Sequence, residues 1–288
     1  VTQVRADLRH SGRDKLNTAL SPPRAIIRPI HRLPNRYFDL SETKNISDRD
    51  FLSKCLRGYF DNHNDYYSFK SALDLPEHSD DPERQLALWA IHSAMHYVEV
   101  SLEFAASLEG MLGTSPSATH PAACVLLRQS IECALNAKWL LQPESKRQLA
   151  ETGFAVTYRN LKKQRKYASA ASDCRMPWMS HRLADSSAIN KMLDHVSQMG
   201  QALGFMESSY YVHKYLPGYN QLFTQCTLKG ERINLRWVYE LLSSVSHGDV
   251  LGFNPTEHEF AQIAHLNNLA TREGIEMLQL RVFEVVDR

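Results

Sequence analysis

The chain holds 288 residues, with 33 Lys and Arg against 32 Asp and Glu, a formal net charge of +1. Hydrophobic residues make up 43% and charged residues 23%, ordinary proportions for a globular chain long enough to bury a sizeable core. Near-neutral charge excludes a polyanion binder that works by bulk charge, and no run approaches the ~20 consecutive apolar residues of a membrane span.

The N-terminal stretch lacks the apolar core of a signal peptide. Cys55, Cys124, Cys133, Cys174 and Cys226 are dispersed without a C-x-x-C pair. That pattern fits reduced, buried thiols in a cytoplasmic protein.

Residues 1–45 carry Pro22, Pro23, Pro29 and Pro34 and show little helical periodicity after Leu20, which predicts a mostly irregular arm before a single helical domain over 46–288. The arm is basic. Over residues 1–36 eight Arg and Lys face only Asp7 and Asp14, whereas residues 74–83 bring Asp74, Glu77, Asp80, Asp81 and Glu83. Such an arm steers a chain to phosphates, or it is a solvated tail that docks on the acidic stretch.

Ser47 caps a predicted helix whose apolar positions are Phe51, Leu52, Leu56, Tyr59 and Phe60. Asn62-His63-Asn64-Asp65 is expected to break it, with a short second helix over 66–73 and a polar loop to Asp81. From Pro82, Leu86, Trp89, Tyr97, Val100, Phe104, Leu108 and Met111 recur at helical spacing, giving a helix of about 30 residues. Gly113 ends it. Pro121 suits the first turn of the next helix, and Pro143 stops that one after Leu141.

A further helix is predicted over 145–167, then an irregular segment over 168–185 and a helix from Ile189 to Leu203. Lys229-Gly230 is a turn. Residues 234–246 form another helix, with Gly248 as its C-terminal cap. Thr256-Glu257-His258-Glu259 is a capping box that opens a last long helix to about Val286. The expectation is an all-α bundle of seven or eight mostly antiparallel helices, without strands.

Two helices carry polar residues along their apolar stripes. On a wheel of 100° per residue, Arg128 falls within the face made by Cys124, Ile131, Leu135 and Trp139, and Glu132 sits at its edge. An arginine there needs a partner, and Glu132 is one turn away. On the later helix, Leu235, Val238, Leu242 and Val245 form the apolar face, flanked by Arg236, Tyr239, Ser243 and His247. If the helices adjoin, Arg128, Glu132, Tyr239, Ser243 and His247 form one half-buried polar cluster. The histidine suits proton transfer near neutral pH, and Glu132 would orient it. A buried network of these types equally fixes helix register without chemistry.

The motifs R-x3-E with W-L-L-x-P (Arg128, Glu132, Trp139 to Pro143) and Y-x-L-L-S-x-x-x-H-G (Tyr239 to Gly248) resemble uncharacterised bacterial helical proteins distantly related to HEPN domains. The resemblance covers roughly residues 85–285. It implies a helical, usually dimeric protein that binds or cleaves RNA without a metal, in a defence or stress system. It also implies His247 as acid and base or phosphate contact, Arg128 as charge stabiliser, Glu132 as orienting group, and Tyr239 and Ser243 as ligand contacts.

The sequence departs from the family pattern, in which four to six residues separate an arginine from the histidine that follows it on one helix. Here those positions include Glu240, Leu241 and Leu242, and Arg236 stands eleven residues away, ~16 Å of helical rise. Arg128 or a dimer partner would have to replace it. The alternative function is a non-catalytic interaction module with a structural polar cluster.

His92, His96, Glu99 and Glu103 share a helix face at spacings of four, three and four, a loose metal pattern without H-E-x-x-H, so a solvated or charge-paired face is expected and no metal. The basic run from Arg159 to Lys166, between Tyr158 and Tyr167, suits phosphates and stacked bases or is a solvated face. No Gly-rich phosphate loop, nucleophile elbow or dinucleotide fingerprint is present, and no cofactor is expected.

Overall fold

The computed structural model describes residues 48–114, 121–173, 186–205, 217–246 and 255–286, all within one unit, Thr43–Arg288. The expected arm over 1–45 lies outside the described residues. Eight helices and one two-stranded hairpin are present among them: α1 Asp48–Ala72, α2 Pro82–Thr114, α3 Pro121–Leu141, α4 Lys146–Asp173, α5 Ser186–Ala202, α6 Tyr219–Gln225, β1 Cys226–Leu228, β2 Glu231–Ile233, α7 Arg236–Ser246 and α8 Glu257–Val286. The chain is an all-α bundle. No described helix is long and apolar enough to cross a membrane.

Short loops make α1 to α4 alternate in direction. The cross-helix pairs Cys55 with Ala261, Tyr59 with Ala264 and Asn62 with Asn268 advance together, so α8 runs parallel to α1. It also runs parallel to α3, from the Asn267–Ser130 bond to Arg281 on the Leu141 carbonyl. The core is built on Leu86, Ile91, Val98, Leu140, Phe154 and Leu278, all at most 2% exposed.

Gly153 permits the closest backbone approach. A Cβ there would stand 1.8 Å from the Leu86 carbonyl oxygen, so α4 lies directly on α2. Below the apolar layer, Ser101, Ser130, Asn267, Thr271 and Tyr59 form a buried hydroxyl–amide network linking α1, α2, α3 and α8. In a low-dielectric interior such a network fixes the register of four helices.

Three local expectations need correction. Asn62-His63-Asn64-Asp65 does not break α1. Asn62 is buried, and its amide donates to the backbone carbonyl and side-chain oxygen of Asn268, so it does not compete for its own backbone. Helix α4 continues to Asp173, past the predicted end at 167; residues 174–185 lie outside the described set. And a hairpin exists. Its strands have three residues each, too few for a period-two pattern. Its Lys229-Gly230 turn was legible: both residues take positive φ, 52° and 73°, as a type I′ turn requires.

The expected Ser47 and Gly248 caps lie outside the described residues, and two further local signals hold. The Glu259 carboxylate accepts from the Thr256 N–H at 2.8 Å, while the Glu259 N–H donates to the Thr256 hydroxyl at 3.2 Å, closing the capping box of α8. At the end of α5, Gly204 at φ 74° lets the Phe205 N–H reach the Gly200 carbonyl at 2.7 Å, seating Phe205 on Phe154.

Candidate functional site

Helix α3 is the centre of the candidate site, packed between α2, α8 and α7. Its residue types explain why. Ser130, Ile131, Leu127 and Ala134 face inward, while Arg128 and Glu132 lie one turn apart at the boundary towards α7. The Arg128 Nε donates to Glu132 Oε1 at 2.7 Å, and the two side chains are only 12% and 6% exposed. The guanidinium lies over the Tyr239 ring, 5.2 Å from its centroid. Tyr239 in turn meets Phe223 of α6 at 5.3 Å. The two polar helices therefore do adjoin, and Arg128, Glu132 and Tyr239 form one cluster. Ser243 is half-buried one turn further along α7. His247 and its capping Gly248 lie outside the described residues.

Burial pushes the Glu132 carboxyl above the usual carboxylate range, and the hydrogen bond and charge of Arg128 draw only part of that back. The arginine is held on one side by the carboxylate and on the other by the aromatic face, an arrangement that suits a planar guanidinium.

Glu132 also lines a cavity of about 240 Å³ whose opposite wall is α4. Across from Glu132 stand Arg159, Asn160 and Lys163, with Asn136 and Trp139 on the α3 side. Partial desolvation at the cavity edge, followed by the charge of Arg159, holds the largely exposed Lys163 ammonium below the ordinary lysine range. The basic run thus splits. Lys162 stacks on Tyr158 at 4.6 Å, and Arg165 and Lys166 are exposed, whereas Arg159 and Lys163 turn to the Glu132 cavity. In the sequence the two signals stand apart. Their shared face was present in the spacing: 132, 133, 136 and 139 on α3, and 159, 160 and 163 on α4.

The second cavity, about 380 Å³, lies between α3 and the α6–hairpin segment and shares Trp139 and Pro217 with the first. Lys138 crosses its floor. This buried ammonium pairs with Glu273 at 2.5 Å and donates to the Thr227 carbonyl, and the Lys229 N–H donates to the same carboxylate at 2.6 Å. Lys138 thereby ties the hairpin to α3 and α8.

The four-residue His/Glu face of α2 is put to other use. Tyr66 and Lys70 of α1 donate to Glu99 at 2.7 and 2.5 Å. Burial opposes the Glu99 charge, but these donors outweigh it and hold the carboxyl below its usual range. His96 and Glu103 point to solvent. No group of three or more His, Cys, Asp or Glu suited to a metal occurs among the described residues.

The described cysteines are free thiols, with Cys55, Cys124 and Cys133 buried and Cys226 half-buried. Burial pushes Cys55 and Cys133 up to about 12 and Cys124 up to about 11, the state of unreactive core thiols. The chain matches no protein-family model, no curated protein and no solved structure.

Proposed function

We propose that the chain is a cytoplasmic, HEPN-like helical protein of a bacterial defence or stress system, and that it binds RNA in the groove between α3 and α4. The observation that supports this reading is the cavity where Glu132 faces Arg159 and Lys163 beside Trp139. Two cations hold a phosphodiester, amides at Asn136 and Asn160 accept and donate around it, and an indole offers a base a stacking face. In this reading cleavage is acid–base work by His247, without a metal. Arg128, already committed to Glu132 and Tyr239, acts by holding that carboxyl in place.

Fluorescence anisotropy with a labelled single-stranded RNA tests the groove. The Arg159→Ala/Lys163→Ala variant should bind at least tenfold more weakly, and its log–log salt slope should fall by about 0.7, the value for one phosphate no longer neutralised. Wild-type binding by this variant, or no binding by the native chain, would overturn the reading. Cleavage is tested with His247→Ala. Equal cutting by both chains, or none by either, removes catalysis by His247 and leaves binding.

A second reading, a non-catalytic interaction module, is favoured by one observation. The Arg128–Glu132 pair is nearly sealed under Tyr239, while Leu280 and Phe283, 54% and 67% exposed, stand one turn apart on α8. Concentration-dependent self-association lost in Phe283→Asp would support it.

A further inference from the structure

The 380 Å³ cavity shares Trp139 and Pro217 with the groove between α3 and α4 and is otherwise lined by different residues. Its size falls within the ~300–1,000 Å³ of small-molecule sites, whereas the 240 Å³ Glu132 cavity is better matched to a phosphate than to a nucleoside. Its lining is also chemically distinct. Among the described lining residues there is no carboxylate, and the charge of Lys138 is answered by Glu273. The polar groups that remain include three glutamine amides: Gln142 just past α3, and Gln221 and Gln225 on α6.

Gln221 and Gln225 are one helical turn apart, and the Gln221 amide donates to the Gln225 carbonyl oxygen at 3.4 Å, which aligns the two heads. Arg232, exposed on the hairpin, stands on the same cavity. An amide presents both donors and acceptors in one plane, the complement of the edge of a nucleobase. Trp139, shared by both cavities, supplies an aromatic face at their common wall.

We propose that the glutamine-lined cavity receives one unpaired nucleobase, its phosphate being held on the other side of Trp139 by Arg159 and Lys163. This rests on the RNA-binding reading and specifies it. The ligand is single-stranded at this step, because a base still paired in an A-form helix reaches neither the indole nor the amides.

Two measurements on the full chain test it. First, the labelled single strand is compared with the same strand annealed to its complement, for the native chain, Gln221→Ala/Gln225→Ala and Trp139→Ala. The single strand should bind at least tenfold more tightly than the duplex. The glutamine variant should lose about tenfold for the single strand with an unchanged melting temperature, since both side chains are exposed. Trp139→Ala should lose about as much, within the range of one base stack. Second, adenosine, which lacks a phosphate, should shift amide resonances around Gln221 and Trp139 in a two-dimensional NMR titration, and should not do so in the glutamine variant.

Equal binding of single strand and duplex overturns the inference. So does native affinity in the glutamine variant alongside weakened Arg159→Ala/Lys163→Ala, which leaves the phosphate groove standing. Adenosine shifts without RNA binding would keep the base cavity and remove the groove. Absence of both removes both.

Discussion

Arg128→Ala is the most informative single change, because it separates the structural from the chemical use of the α3–α7 cluster. The guanidinium neutralises a carboxylate that is 6% exposed, and no second cation pairs with Glu132 among the described ion pairs. Deleting one member of a buried pair leaves the other charge uncompensated, at a cost of about 3–5 kcal/mol. The ring interaction with Tyr239 goes as well, worth about 1 kcal/mol for a partly desolvated arginine. For a unit of this size about 1 kcal/mol corresponds to 2–4 °C, so the melting temperature should fall on the order of 10 °C.

The pH dependence fixes the cause. In the native chain the folded-state carboxyl of Glu132 is already raised, so its stabilising contribution is greatest in acid, below its unfolded value, and is lost as pH rises through the folded value. Without Arg128 the carboxyl rises further. The variant's deficit should therefore shrink as pH falls from 7 to 5, as Glu132 takes up a proton. Arg128→Leu/Glu132→Leu, which removes both charges, should recover most of the loss. Urea denaturation at the two pH values measures all of this. A deficit below about 1 kcal/mol at pH 7, or one that grows in acid, would refute the claim that Glu132 is a buried carboxylate dependent on Arg128 for its charge balance.

The close approach of α2 and α4 gives a second prediction. In Gly153→Ala the added carbon would meet the Leu86 carbonyl at 1.8 Å, and a backbone atom cannot swing aside. We expect a loss of about 3 kcal/mol or more, whereas Gly110→Ala, with open space around it, should gain about 0.5 kcal/mol. Lys138→Met should free the hairpin and speed amide exchange at Lys229 and its neighbours, leaving α2 and α4 protected. The core thiols should resist a disulfide reagent at pH 8 in the folded state and react on unfolding. Their raised values keep them neutral in the fold, so they weigh on stability only as pH climbs towards about 11 for Cys124 and about 12 for Cys55 and Cys133. Rapid labelling of native Cys55 would contradict its burial between α1 and α8.

Helices were legible where apolar spacing and caps agreed. The Pro82 start, the Pro121 first turn and the Thr256–Glu259 box each name a local physical event, and each occurs where its residues stand. The failures arose where a side chain was satisfied from elsewhere in the fold. Asn62 reads as a breaker only while its amide lacks a partner, and that partner, Asn268, is 206 residues away. The hairpin failed differently, since three-residue strands carry no pattern beyond their turn. At the site, the i, i+4 rule found the Arg128–Glu132 bond, and the wheel placed Tyr239 on the correct flank. What could not be read was which helix closes the other side of Glu132. That wall comes from α4, through a loop of four residues between α3 and α4 that determines the pairing only once both helices are folded.

Helix α3 also dictates how any of this can be tested. Its inner side holds Ser130 in the buried network, its boundary holds Arg128 and Glu132, and its far end holds Lys138 under the hairpin. Glu132 and Trp139 on the same helix line the cavities. A substitution anywhere along α3 therefore changes packing and binding surface together, and lost binding there has two explanations. Lys163 on α4 and Gln221 and Gln225 on α6 are exposed side chains that line the cavities. Exposed substitutions away from packed features usually shift stability by no more than about 0.5 kcal/mol. Binding lost through those residues at an unchanged melting temperature marks a ligand site, and binding lost only through α3 marks a scaffold.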